Sequence, residues 1–81
     1  MVEKSRITIN PEICGGKPVI TNTRVLVSEI LEWIEQGHTF DEITHAFPSI
    51  TVQDVQAAIS YARMVIEGEK IEFYSSDESS T

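Results

Sequence analysis

Ile13-Cys14-Gly15-Gly16-Lys17-Pro18-Val19-Ile20-Thr21-Asn22-Thr23-Arg24-Val25 reads as a turn and a short ribbon, placed before everything in the chain that reads as helical. Two adjacent glycines permit positive φ, Pro18 fixes its own φ and pushes Lys17 toward extended geometry, and β-branched Val19, Ile20 and Thr21 favour a strand. Asn22 tolerates the left-handed region, so the chain can reverse there and bring Arg24 and Val25 back beside Val19 and Ile20. Upstream, Ile7-Thr8-Ile9-Asn10 alternates apolar and polar residues, which marks a half-buried strand that Asn10-Pro11 ends. So short a strand needs a neighbour, either the ribbon or the equivalent strand of a second subunit. Residues 1–6 read as a charged arm that orders on contact.

Three helices are expected downstream. The first starts near Ser28, with Glu29 at the positive end of the helix dipole and an apolar face of Val27, Ile30, Leu31 and Ile34, and Gly37 closes it. Trp33 lies off the centre of that face, as a rim residue of the core or as a subunit contact. Thr39-Phe40-Asp41-Glu42 is a capping box for a short second helix, which buries Phe40, Ile43 and Phe47 and stops at Pro48. Thr51 caps the third helix, with Asp54 near its positive end, and this helix runs to about Glu67 with Gly68 beyond it. On it Val52, Val55, Ile59, Ala62 and Ile66 recur at steps of three and four, beside Ala58, Tyr61 and Val65. That apolar surface is wider than a short helix pair needs. The opposite stripe, Gln53, Gln56, Ser60, Arg63 and Glu67, is polar. The expected division is a domain over residues 1–68 and an acidic, serine-rich tail over 69–81. Within the tail, Ile71, Phe73 and Tyr74 form an apolar island, either a final strand or a flap packed on the core, or a segment that orders on a partner.

Eighty-one residues give one small domain, of a size where a single core supplies only about 3 to 5 kcal/mol without help. Homodimerisation is the expected help. The lone cysteine excludes an internal disulfide, and Cys14, His38 and His45 make no metal-ligand spacing, so no metal or cofactor is expected. No segment has the roughly 20 apolar residues of a membrane span or the pattern of a signal peptide, and a cytoplasmic protein is expected. The net charge of −7 is divided unevenly: residues 1–25 carry +2 and residues 26–81 carry −9. Phosphate would therefore be met by the ribbon, through Lys17 and Arg24, and repelled elsewhere.

A longer first helix followed by two helices about a tight turn outlines a mainly α, helix-turn-helix bundle with a short β element ahead of it. In that outline Gln53 and Gln56 suit adenine edges and Arg63 suits phosphate or guanine. Gly15-Gly16-Lys17 lacks the glycine spacing and the following hydroxyl residue of a phosphate loop. Cys14 has no base near it in sequence, and the carboxylates are scattered, so no catalytic constellation emerges and no enzyme is expected.

The run Ile13-Cys14-Gly15-Gly16-Lys17-Pro18-Val19-Ile20, then Thr23-Arg24-Val25, Asp41-Glu42-Ile43 and Asp54-Val55-Gln56-Ala57-Ala58 resembles the domain-of-unknown-function family 433, over roughly residues 7 to 67. Members of that family usually carry glycine where this chain has Asn22. The resemblance implies a homeodomain-like trihelical fold with an N-terminal β element, of a kind often read as VapB-type antitoxins encoded beside a PIN-like nuclease toxin. Carried over, it implies a chain that binds and inhibits such a toxin and, as a dimer, represses its own operon by binding operator DNA. Ile71, Phe73 and Tyr74 would then contact the toxin, with Glu69, Glu72 and Asp77 meeting its basic RNA-binding surface. The alternative is a free-standing dimeric helix-turn-helix regulator that contacts DNA through Lys17, Arg24, Gln53, Gln56 and Arg63.

Overall fold

The ribbon closes within the chain. In a computed structural model that describes residues 6–68, β1 (Ile7–Thr8) pairs antiparallel with β2 (Val19–Ile20), Ile7 opposite Ile20 and Thr8 opposite Val19. Of the two neighbours open to the first strand, it takes the ribbon. The strand itself is shorter than its alternation suggests, since Ile9 is already 56% exposed. Between the strands the Asn10 side chain accepts the Glu12 N–H, and the Ile13 N–H donates to the Asn10 carbonyl. Cys14, Gly15 and Gly16 then all take positive φ, at 51°, 68° and 88°, and form one left-handed turn. A non-glycine residue pays about 1 kcal/mol or more for that region, which confines the cost to Cys14.

Beyond β2, Asn22 sits at φ 68°, as a reversal there requires. The Thr23 hydroxyl donates to the Ile20 carbonyl and accepts the Val25 N–H, while the Ile20 N–H donates to the Val25 carbonyl. A single bridge between Val19 and Leu26 then leads straight into the first helix.

Helix α1 (Val27–Glu35) begins one residue before Ser28, with Leu26 as its flanking residue. Leu26 has no acceptor on its side chain, so Glu29 alone caps the helix, its carboxylate accepting the Leu26 N–H at 3.1 Å. Gly37, at φ 92°, ends α1: its N–H donates to Ile34 and that of His38 to Trp33, the two bonds of a Schellman motif. Helix α2 (Phe40–Ala46) has both halves of the expected box, Glu42 N–H to the Thr39 hydroxyl and Thr39 N–H to the Glu42 carboxylate. A turn over residues 47–51 follows, pinned by Ile50, which is 4% exposed. Helix α3 (Val52–Glu67) carries a second complete box between Thr51 and Asp54, and Gly68 closes it in the left-handed region.

Ile20, Val25, Val27, Ile30, Ile43, Ile50, Val55 and Ala58 make one core, so the β2 ribbon, all three helices and the α2–α3 turn contribute to it. The result is a mainly α, three-helix, helix-turn-helix-like bundle on a two-stranded antiparallel ribbon. Trp33 packs at the rim of the core, its ring 5.5 Å from Phe47 and 4.4 Å from His38. The α3 pattern is corrected in one respect: its buried line runs through Asp54, Val55 and Ala58, whereas Ile59 and Ile66 are 37% and 83% exposed. α3 is longer than either of the helices packed against it.

At the start of α2 the Thr39 backbone N–H, and after it the His38 ring at 3.2 Å, hold the Glu42 carboxyl below its ordinary value of 4.5. A depressed folded-state pKa contributes stability that is complete above 4.5 and is lost as pH falls through the folded value. We expect the urea midpoint of the wild-type chain to exceed that of Glu42→Gln at neutral pH, and the gap to close well below 4.5. A gap independent of pH would assign the difference to the cap geometry alone.

Candidate functional site

The three candidate surfaces are an apolar groove, the polar face of α3 and the loop side of the ribbon. The groove lies between α1 and the C-terminal half of α3. It has a volume of about 500 Å³, with Val27 and Leu31 on one wall, Tyr61, Val65 and Ile66 on the other, and Lys17 at its edge. The groove takes its shape from two sequence features. The Lys17-Pro18 step carries the ribbon across one end, where the Val27 N–H donates to the Pro18 carbonyl, and α3 continues for two turns beyond Ala58. Among the described residues Lys17 is the only charged one in the lining, so the groove suits an apolar segment with a carboxylate near it.

On the polar face Gln53 and Gln56 are exposed in the first two turns of α3, free to meet a ligand. Arg63 is also exposed, but its guanidinium donates to the Glu67 carboxylate at 3.1 Å, which neutralises it locally. Lys17 and Gln53 are not brought together. Lys17 lines the groove with Tyr61, Ala62, Val65 and Ile66, which lie eight to thirteen residues along α3 from Gln53, about 12 to 20 Å of helix axis.

Arg24 belongs to the third surface, a concavity of about 290 Å³ also lined by Thr8, Thr21, Asn22 and Thr23. Its hydroxyls are already engaged: Thr8 and Thr21 bond each other at 2.7 Å, and Thr23 bonds within its own turn. The exposed Arg24 guanidinium and the exposed Asn22 amide remain available there. The other partner-contact residues expected from the sequence, Ile71, Phe73 and Tyr74, lie outside the described residues.

One important contact escapes sequence reading. Asp54 is only 8% exposed, and while one of its oxygens takes the Thr51 N–H, the other accepts from Arg6 at 2.9 Å. This ties the residue before β1 to the start of α3. Arg6, the last residue of the arm expected to order on contact, makes its contact within the chain. The His38 ring pairs with Glu42 and leaves the helix-end carbonyls to backbone donors. Cys14 is half-buried, and among the described residues no group of three or more His, Cys, Asp or Glu side chains could hold a metal ion. Nor is any described helix long and apolar enough to cross a membrane.

The family model described as "Protein of unknown function (DUF433)" matches residues 7–62, which take in the ribbon, α1, α2 and most of α3. The chain belongs to this family. A curated relative, the uncharacterized protein y4eO of Sinorhizobium fredii (strain NBRC 101917 / NGR234), is 34% identical over 56 residues, covering 69% of this chain and 25% of the relative. The chain thus spans about a quarter of that relative's length. The crystal structure of a DUF433 member protein from Anabaena variabilis ATCC 29413 is similar at 32% identity with a TM-score of 0.72, over 80% of this chain and 64% of that one. The groove of this DUF433 chain is built partly from the matched region, through Lys17, Val27, Leu31 and Tyr61, and partly from Val65 and Ile66 beyond it.

Proposed function

We propose that this chain is an interaction protein of the antitoxin kind, which binds a PIN-like nuclease and holds it inactive. It performs no catalysis of its own and acts in the cytoplasm as a homodimer that also represses its operon. The observation that carries this reading is the apolar groove with Ile66 standing 83% exposed on its lip. Burying a side chain of that size is worth about 1.5 to 3 kcal/mol. A protein partner supplies the apolar surface to do it. The acidic residues that follow Gly68 add charge attraction toward a basic RNA-binding surface.

The test is co-expression of the tagged chain with the PIN-like nuclease encoded beside it, followed by a high-salt wash and an assay of RNA cleavage. A complex of fixed stoichiometry without ribonuclease activity is expected. Ile66→Asp, at an exposed position that leaves the core intact, should weaken the complex at least about tenfold, a loss of about 1.4 kcal/mol. No complex with the nuclease, or a complex indifferent to this substitution, would remove the support for the reading.

The second reading, a free-standing DNA-binding regulator, is favoured by the exposure of Gln53 and Gln56 on α3 and by Lys17 and Arg24, which make no ion pair among the described residues. With the phosphate contacts supplied by those two cations, Lys17→Ala/Arg24→Ala should abolish binding to the chain's own upstream DNA and flatten its salt dependence. Retained DNA binding in that double variant, measured by fluorescence anisotropy, would refute the ribbon as the phosphate-contacting element.

A further inference from the structure

We propose that in the free chain the apolar groove is occupied by the chain's own Ile71-Glu72-Phe73-Tyr74. Three observations converge on this occupant. The first is position: Val65 and Ile66, which form one wall of the groove, belong to the last turn of α3, and the helix closes immediately afterwards at Gly68. There φ is 74°, and the N–H donates back to the Met64 and Val65 carbonyls, so the chain leaves the helix axis at that residue. Ile71 follows three residues later, within about 10 Å of Gly68 even when fully extended. The connection is short, and its closure costs little entropy.

The second is size and chemistry. A groove of about 500 Å³ has room for more than one aromatic side chain, and its walls are mostly apolar, with Ser28, Tyr61 and Lys17 as the polar exceptions. In extended backbone, alternate side chains share a face, so Ile71 and Phe73 would enter together while Glu72 stays at the edge. The third is charge. Among the described residues Lys17 is the only charged one in the lining, and the segment brings Glu72, with Glu69 just before it, to meet that cation.

The contact itself is a property of the free chain. Its regulatory consequence rests on the antitoxin reading: groove and segment, both suited to the nuclease, cover each other until the nuclease displaces the segment.

The experiment is NMR on the full, methyl-labelled chain with no partner present. Nuclear Overhauser contacts are expected from the Phe73 and Tyr74 rings to the methyl groups of Val27, Leu31 and Val65. The same methyls should lose their upfield ring-current shifts in the Phe73→Ser/Tyr74→Ser variant, while the Ile30 and Ile43 methyls of the core stay in place. Absence of these contacts, with groove shifts unchanged in the variant, would overturn the proposal. A mixture of labelled and unlabelled chains separates the sources, and contacts seen only between chains would overturn it in favour of a second copy's segment. Contacts within one chain alongside a failed nuclease co-purification would leave the groove assignment standing and remove the antitoxin reading. A nuclease complex without these contacts would do the reverse.

Discussion

Ile43→Ala is expected to leave most of the chain unfolded at ambient temperature. Ile43 is fully buried and is the one buried residue of α2, which is only seven residues long. So short a helix has no stability of its own and is held by packing. Truncating a buried isoleucine to alanine costs about 2 to 5 kcal/mol, the loss of its transfer free energy plus the cavity left behind. A single domain of this size has about 3 to 5 kcal/mol in total. Loss of the cooperative thermal transition in circular dichroism would confirm the expectation. A midpoint within a few degrees of wild type would mean that α2 contributes little to the core. Ile66→Asp is the matching control, since the same residue type 83% exposed contributes almost nothing to the fold.

Asp54→Ala is expected to lower the melting temperature by about 10 °C or more, corresponding to about 2 kcal/mol for a domain of this length. Two effects add. Without the carboxylate the Thr51 N–H at the head of α3 loses its acceptor, and a lost cap costs about 0.5 to 2 kcal/mol. The bond from Arg6 is lost as well, although the Arg6 side chain is 38% exposed, so its share is near the upper end of an exposed pair, about 1 kcal/mol. A double-mutant cycle with Arg6→Ala separates the two, because only the second part couples. Asp54→Asn keeps an acceptor for the cap and should recover about half of the loss. An unchanged melting temperature in Asp54→Ala would show that water replaces both bonds.

The sequence announces those parts of the fold that are encoded locally. Thr39 with Glu42, Thr51 with Asp54, and Gly37 and Gly68 are signals completed within a few residues, and each marks a helix end at or next to its place. Asn22 likewise signals its own turn. The start of α1 was less legible, because Leu26 offers no cap and the work falls to Glu29 three residues on. Period alone could say which residues of α3 share a face, and it flagged more apolar surface than the bundle requires. It could not say that Ile66 is left 83% exposed, because that depends on how α1 and the ribbon are placed against α3. The Arg6–Asp54 bond spans 48 positions and has no local signature. Of the candidate site, the basic residues and the glutamines could be named from the sequence, but not the separation that places Lys17 and Gln53 toward opposite ends of one helix.

The two oxygens of Asp54 belong to different stages of folding. Oδ2 takes the Thr51 N–H three residues away, a bond that can form as α3 nucleates on the microsecond scale. Oδ1 takes Arg6 from 48 positions away, and that bond requires the whole intervening chain to be closed first. Substituting Arg6 should therefore accelerate unfolding and leave the folding rate almost unchanged, whereas Asp54→Ala should slow folding as well. A single carboxylate thus contributes to both limbs of the chevron, helping α3 to form and then retarding release of the ribbon from it.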